Sequence, residues 1–251
     1  MTGVIRTGIG GWVFPPWRGL FYPPGLRQAD ELWHASRALG AIEINATYQS
    51  FQTPETFARW AAQTPEGFVF AVKASRLCTN RRVLADSGPW VDRFLGQGLD
   101  HLGDRLGPIL WQFMPTKVFD PADFAAFLDL LPQSLDGRPL RHCIEARHAS
   151  FADPRFTALC AARRIAICLA DSPAFPMIDA RDADFAYVRL MRGDDRVETG
   201  YPSDQIDAWA KRLRDLAAAG AASRDVFAFV INAGKSRAPA AAKALATAIA
   251  S

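Results

Sequence analysis

Seven short apolar runs in this 251-residue chain finish on side chains that can bind charge or move a proton. Glu43 and Asn45 share one face of the second run, and Lys73 shares a face of the third with Val69 and Ala71. Gln112 closes the fourth. Glu145 and Arg147 share a face of the fifth, and His148 follows. Asp171 stands in register with Ile167 and Leu169, Arg189 with Tyr187, and Asn232 with Ala228 and Val230. Lys73, Arg147 and Arg189 are three bases set against three acids, Glu43, Glu145 and Asp171. The bases suit an anionic group held by charge-assisted hydrogen bonds. Glu43, Glu145, His148 and Asp171 are the candidates for giving or taking a proton. The alternative is a closed ionic network with no ligand, because buried charges persist only when paired. Glu43, Glu145, His148 and Asp171 also carry metal-ligand atoms, although three nearby cations oppose a divalent ion. Lys73 is in addition a candidate nucleophile toward a carbonyl, since burial can lower the pKa of a lysine.

Regular elements must bring these groups together. Strands are predicted at Ile5–Gly10, Ala41–Asn45, Phe68–Ala74, Pro108–Phe113, His142–Ala146, Ile165–Ala170, Phe185–Leu190 and Val226–Asn232. Several are apolar on both faces, as strands covered on both sides must be. Helices are predicted at Ala29–Leu39, Pro54–Gln63, Pro89–Leu102, Pro121–Leu131, Pro154–Ala162, Asp204–Ala219 and Pro239–Ile249. Thr53-Pro54, Asp120-Pro121 and Ser203-Asp204 mark starts, and Gly40 and Gly220 mark stops. Eight strands and seven helices in alternation predict an α/β fold, a TIM-type (β/α)8 barrel spanning residues 1–251 as one domain. Asp171 to Ala183 is rich in proline and acids, so a loop is expected in place of the helix between strands six and seven. In such a barrel the polar ring lies at the C-terminal ends of the strands, where barrel active sites sit.

The bulk composition is that of an ordinary globular protein, 49% hydrophobic and 22% charged. The net charge of +3 does not by itself indicate nucleic-acid binding. Cys78, Cys143, Cys160 and Cys168 form no C-x-x-C pair and fit reduced thiols. No apolar run approaches the ~20 residues of a membrane helix, and no leader-like segment precedes the first strand, so a cytoplasmic protein without membrane contact is expected. The segment Arg192–Tyr201 is polar and is expected to lie as a loop over the barrel mouth.

The first loop is aromatic. Gly10-Gly11-Trp12 is followed by Trp17, Phe21 and Tyr22, which wall a ring-shaped ligand or plug the loop as a small core. Tyr48 and Phe51 follow strand two. Gly234-Lys235-Ser236 superficially resembles the end of a P-loop, but Phe229 occupies the position of the upstream glycine. Lys235 still stands where barrel loops often hold phosphate.

The chain resembles the YecE-like family (domain of unknown function 72) nearly end to end. The likeness is carried by GIGGWVFPPWRGLFYP at Gly8–Pro23, EINATY at Glu43–Tyr48, TPEGFVFAVKAS at Thr64–Ser75 and LGPILWQF at Leu106–Phe113. It continues through EARHASF at Glu145–Phe151, DSP at Asp171–Pro173, YVRL at Tyr187–Leu190, YPSDQIDAWA at Tyr201–Ala210 and the last strand to Asn232. The resemblance implies the same barrel and no established activity. It places Trp12, Glu43, Asn45, Lys73, Gln112, Glu145, Arg147, His148, Asp171, Arg189 and Asn232 in one pocket. Thr79-Asn80 stands where relatives carry Thr-His, Met191-Arg192-Gly193 where they carry His-Gly, and Ile231-Asn232-Ala233 where they carry Phe-Asn-Asn. Two histidines are thus absent from the expected mouth.

The expectation is an enzyme, a hydrolase or isomerase acting on a small phosphorylated or sugar-like molecule. Lys73, Arg147 and Arg189 would bind the anion, and Trp12, Asn45, Gln112 and Asn232 would contact the remainder. No cofactor is expected. The alternatives are a binder of nucleic acid or an anionic metabolite without turnover, and a metal-assisted phosphodiesterase.

Overall fold

The computed structural model describes residues 3–180, 183–219 and 224–251, without the side chains of Asn232 and Ala233. The predicted stop Gly220 lies outside the described residues. The chain alternates β1 (Ile5–Gly10), α1 (Glu31–Ala38), β2 (Ala41–Ile44), α2 (Pro54–Ala62), β3 (Val69–Lys73), α3 (Gly88–Leu95), β4 (Leu106–Gln112) and α4 (Pro121–Asp129). It goes on through β5 (His142–Glu145), α5 (Pro154–Ala161), β6 (Ala166–Ile167 and Leu169–Asp171), β7 (Phe185–Arg192), α6 (Ser203–Ala218), β8 (Asp225–Ala233) and α7 (Ala238–Ala250). Each strand pairs in parallel with its sequence neighbours, and β1 pairs with β8. Among the described residues the sheet is broken within β6. Its first piece pairs with β5 and its second with β7. The fold is a TIM-type α/β barrel.

Local chemistry explains the helix starts. Asp120 accepts hydrogen bonds from the amides of Ala122 and Asp123, and Asp153 accepts from that of Arg155. Thr53 does the same at α2, and all three helices open with proline, whose missing amide costs nothing there. The helix predicted over Pro89–Leu102 is instead α3 followed by a 3-10 segment, Leu99–Arg105. Gly98 breaks it with φ +103° and packs so closely that a Cβ would lie 2.7 Å from Cα of Pro54. No helix occupies the described residues between β6 and β7, in line with the proline-rich sequence there. A small hairpin joins Ser134–Leu135 to Arg138–Pro139. It turns on Asp136-Gly137, both at positive φ, a pairing suited to a two-residue hairpin turn.

Two apolar clusters follow from strand parity. Ile42, Ile44, Val72, Trp111, Ile144, Leu169, Val188 and Val230 face the helices. Ala71, Leu110, Cys143, Cys168, Ala170, Phe185, Tyr187, Phe227 and Phe229 fill the lumen, so the barrel is packed rather than open. On the outer side Phe124 of α4 meets Phe113, Phe119, Phe151 and Phe156, with ring centroids 5.3 to 5.9 Å apart. Phe124→Ala is expected to cost about 3–5 kcal/mol by opening a cavity in this cluster. A drop in the urea midpoint at an unchanged denaturant slope is the readout.

Candidate functional site

One stratum of polar side chains seals the lumen at the C-terminal ends of the strands. Arg189 reaches across from β7 to β2 and β5. Its Nη2 and Nε donate to the two carboxylate oxygens of Glu43 at 3.0 and 3.1 Å, and its Nη1 donates to Oε2 of Glu145. The hydroxyl of Tyr187 donates to Glu43 at 2.7 Å. Gln112 Nε2 donates to Glu145 at 2.9 Å, and Arg147 Nε donates to its other oxygen at 2.7 Å. Both glutamates are fully buried and Arg189 is 2% exposed. Burial alone would raise the pKa of Glu145, but Arg189 and then Arg147 outweigh it and hold the carboxyl at about 2. Burial likewise works against the charge on Arg189, and Glu145 and Glu43 raise its pKa regardless. This is a paired network in which every charge has an opposite partner.

Above it opens a cavity of about 440 Å³ with Arg189 in its floor. Lys73, Gln112 and Arg147 rise from the strand ends, and Asn45, Trp12 and Lys235 complete the part that concerns binding. Arg147 lies 4.4 Å over the ring of Phe175, in the loop after β6. Lys73 Nζ lies 4.0 Å over the ring of Tyr48, and its strand end is pinned by Thr47, whose hydroxyl donates to the Lys73 carbonyl. Burial, and next the charge of Arg189, lower the pKa of Lys73 to about 8, although Glu43 and Glu145 act in the opposite direction. Gly11 carries φ +72° and its amide donates to the Glu43 carbonyl. A Cβ on Gly10 would strike Ile231 at 2.7 Å. The two glycines therefore let the first loop fold tightly over β2.

Two of the residues read from the sequence as site members, Asp171 and His148, point elsewhere. Asp171 does not join the stratum: Arg192 Nε donates to it at 2.7 Å. Its parity partners Ile167 and Leu169 face the helices, and Ala170 faces the lumen. His148 caps the turn that follows it. Its Nδ1 accepts from the Ser150 amide at 3.1 Å, and His148 does not line the cavity. For Asn232 the backbone belongs to β8, and its side chain lies outside the described residues. The proposed parity partners Ala228 and Val230 face the helices, while Phe229 and Ile231 face inward. The aromatic first loop is mainly a small core. Trp17 and Tyr22 are buried, Trp17 Nε1 donates to the Lys235 carbonyl, and Tyr22 donates to the Trp12 carbonyl. Half-buried Trp12 packs edge-on to Trp60 while lining the cavity. Sequence reasoning did not find Phe175 beneath Arg147, or Arg192 as the partner of Asp171. The second had a signal, since Leu190 registers with Asp171 and Arg192 ends the same strand.

The departure of Asp171 changes the electrostatics. Three cations, Lys73, Arg147 and Arg189, now face only two carboxylates, and Lys235 adds a fourth positive charge at the rim. No group of three or more His, Cys, Asp and Glu residues among those described converges as a metal site would require. Glu43 and Glu145 are committed to arginine, His148 to Ser150 and Asp171 to Arg192.

A closed parallel barrel with a ligand-sized, positively charged recess at its C-terminal mouth defines the class: a TIM-type barrel protein whose site is made of strand ends and loops. Within that class the chain belongs to the family described as "Protein of unknown function DUF72", whose model matches residues 6–251. It is similar to the UPF0759 protein YecE of Escherichia coli K12, 28% identical over 151 residues. That stretch is 59% of this chain and 50% of the relative, so the chain spans about half the length of the curated relative it matches. Crystal structures of DUF72 family proteins share the fold. One from Thermotoga maritima MSB8 is 20% identical with a TM-score of 0.74, covering 97% of each chain. One from Enterococcus faecalis V583 is 15% identical with a TM-score of 0.75, covering 99% of this chain and 98% of that one. No helix among the described residues is long and apolar enough to cross a membrane.

Proposed function

We propose that this barrel binds a small anionic molecule, of phosphorylated or sugar-acid type, in the mouth cavity and acts on it as an isomerase or hydrolase. The observation that carries the reading is the charge imbalance: three cations against two carboxylates that are already paired. Arg147 and Lys235 supply the anion contacts. Trp12 lies against the apolar or ring portion, and Asn45 and Gln112 reach its hydroxyls. The proton-transfer role read from the sequence for Glu43 and Glu145 moves to Lys73, because both carboxylates are buried and held by Arg189. Lys73 titrates near working pH, the condition for a group that both gives and takes protons.

Thermal shift and titration calorimetry with sulfate and a panel of phosphorylated sugars and sugar acids test the reading. Sulfate keeps its charge across the range, so its affinity reports the protein. Lys73 contributes as an ammonium, so affinity is expected to hold below about pH 8 and to fall as pH rises through it. If sulfate and the whole panel leave the wild-type protein's melting temperature unmoved at millimolar concentration, the reading is wrong.

A further inference from the structure

We propose that Lys73 is a carbonyl-capturing amine, whose Nζ forms an imine with an aldehyde or ketone carbon of the anionic molecule held in the mouth cavity. The inference deepens the reading of the cavity as an anion site and rests on it. Its basis is the placement of this one amine. Lys73 ends β3 on the lumen side, is 8% exposed and lines the cavity. Among the described residues no carboxylate oxygen comes within 4.0 Å of Nζ, because Arg189 and Arg147 occupy the two that share its end of the barrel. The amine is therefore shielded from water, unpaired with any acid, and set beside other cations. These are the conditions that leave a lysine neutral often enough to attack. The lowered pKa, about 8, agrees with that placement.

The other four lysines differ. Lys117 and Lys211 are paired with Asp123 at 2.8 Å and Asp215 at 3.0 Å. Lys243 is exposed on α7. Lys235 shares the cavity but is exposed, over the ring of Phe14, and keeps its solvation. It suits the anionic group, and Lys73 suits the carbonyl.

The step balances. The lone pair of neutral Nζ adds to the carbonyl carbon, and the π electrons move to oxygen. A proton passes from nitrogen to that oxygen. A further proton from solvent converts the hydroxyl to water, which leaves as the nitrogen forms a protonated imine. One amine, one carbonyl and one proton give one iminium and one water. The iminium acidifies the neighbouring C–H bond, which is the activation an isomerase or a carbon–carbon lyase requires. The substrate class is an oxo acid or a phosphorylated aldehyde or ketone.

The test is reductive trapping on the full chain. The protein is incubated with pyridoxal 5′-phosphate, and separately with glyoxylate, in the presence of cyanoborohydride, then mapped by peptide mass spectrometry across its five lysines. The expected result is an adduct at Lys73 ahead of the other four, forming faster as pH rises toward about 8 and slowed by inorganic phosphate. Lys73→Arg should lose that adduct. Labelling confined to Lys117, Lys211, Lys235 and Lys243, with phosphate still bound, overturns the imine and leaves the anion site standing. Labelling of Lys73 in a protein that neither binds phosphate nor is protected by it overturns the anionic substrate class instead. Because the wild-type map decides both points, they do not depend on the variant folding.

Discussion

Arg189→Met is expected to remove about 3–5 kcal/mol of stability, the cost of leaving buried charges without their partner. The guanidinium satisfies both Glu43 and Glu145, and neither carboxylate reaches water. Glu145 keeps Arg147 and Gln112, whereas Glu43 keeps only the Tyr187 hydroxyl. Urea denaturation followed by circular dichroism measures the loss, and a second condition identifies its cause. In the wild-type protein the depressed pKa of Glu145 means its contribution is fully present above about 4.5 and disappears as pH falls toward about 2. In the variant burial acts on the Glu145 carboxylate with less opposition, so its protonation is easier and the deficit against wild type shrinks on acidification. The triple change Arg189→Met, Glu43→Gln and Glu145→Gln should recover much of the loss, since removing a whole buried network is far milder than halving it. A deficit that is the same at neutral and acid pH would mean that Arg189 acts through packing alone.

Arg147→Ala touches the same glutamate and is expected to do something different. Its side chain is 16% exposed and lines the cavity, and Glu145 remains satisfied by Arg189 and Gln112 without it. Stability should change far less than in Arg189→Met. Anion affinity should fall by about 10–100-fold, the equivalent of one charge-assisted hydrogen bond of about 1.5–3 kcal/mol. Calorimetric titration of sulfate, or of the tightest phosphorylated ligand found, gives the number. Unchanged affinity with a stability loss equal to that of Arg189→Met would place Arg147 in the scaffold and remove it from the site. Two arginines on one carboxylate thus separate holding the barrel shut from holding a ligand.

The barrel was legible because its signal is redundant. Eight apolar runs, seven amphipathic stretches and proline-led caps all point to one alternation, and misplacing one boundary changes nothing. The site was legible where a strand alternates. Lys73 follows Val69 and Ala71 into the lumen, and Arg189 follows Tyr187, as read. It was illegible where both faces are apolar. In β6 and β8 nothing in Ile167-Cys168-Leu169-Ala170 or Ala228-Phe229-Val230-Ile231 says which set faces in. The choice that brought Asp171 inward followed the polar residue rather than the pleat. Small residues carry the missing information: Ala170 and Cys168 fit a crowded lumen, while Leu169 needs the roomier helix layer. His148 misled for another reason. An imidazole just past a strand end caps a following turn as readily as it faces a ligand, and Ser150 two residues later was the sign of the cap.

The interruption of β6 reaches beyond topology. Its first piece holds β5 through only two registered residue pairs, the shortest paired run in the barrel sheet, although α5 packs against it from outside. A closed wall must give way somewhere first, and its shortest join is where it gives. Cys143 and Cys168 lie on either side of that join, facing the lumen, with burial holding both thiols above their ordinary pKa. While the join is zipped, these sulfurs are out of reach of oxidants and alkylating reagents and are slow to react in any case. Once it parts, both are laid open together. The barrel thus carries two chemically silent thiols at its own seam, and their reactivity is a clock for how often the seam opens.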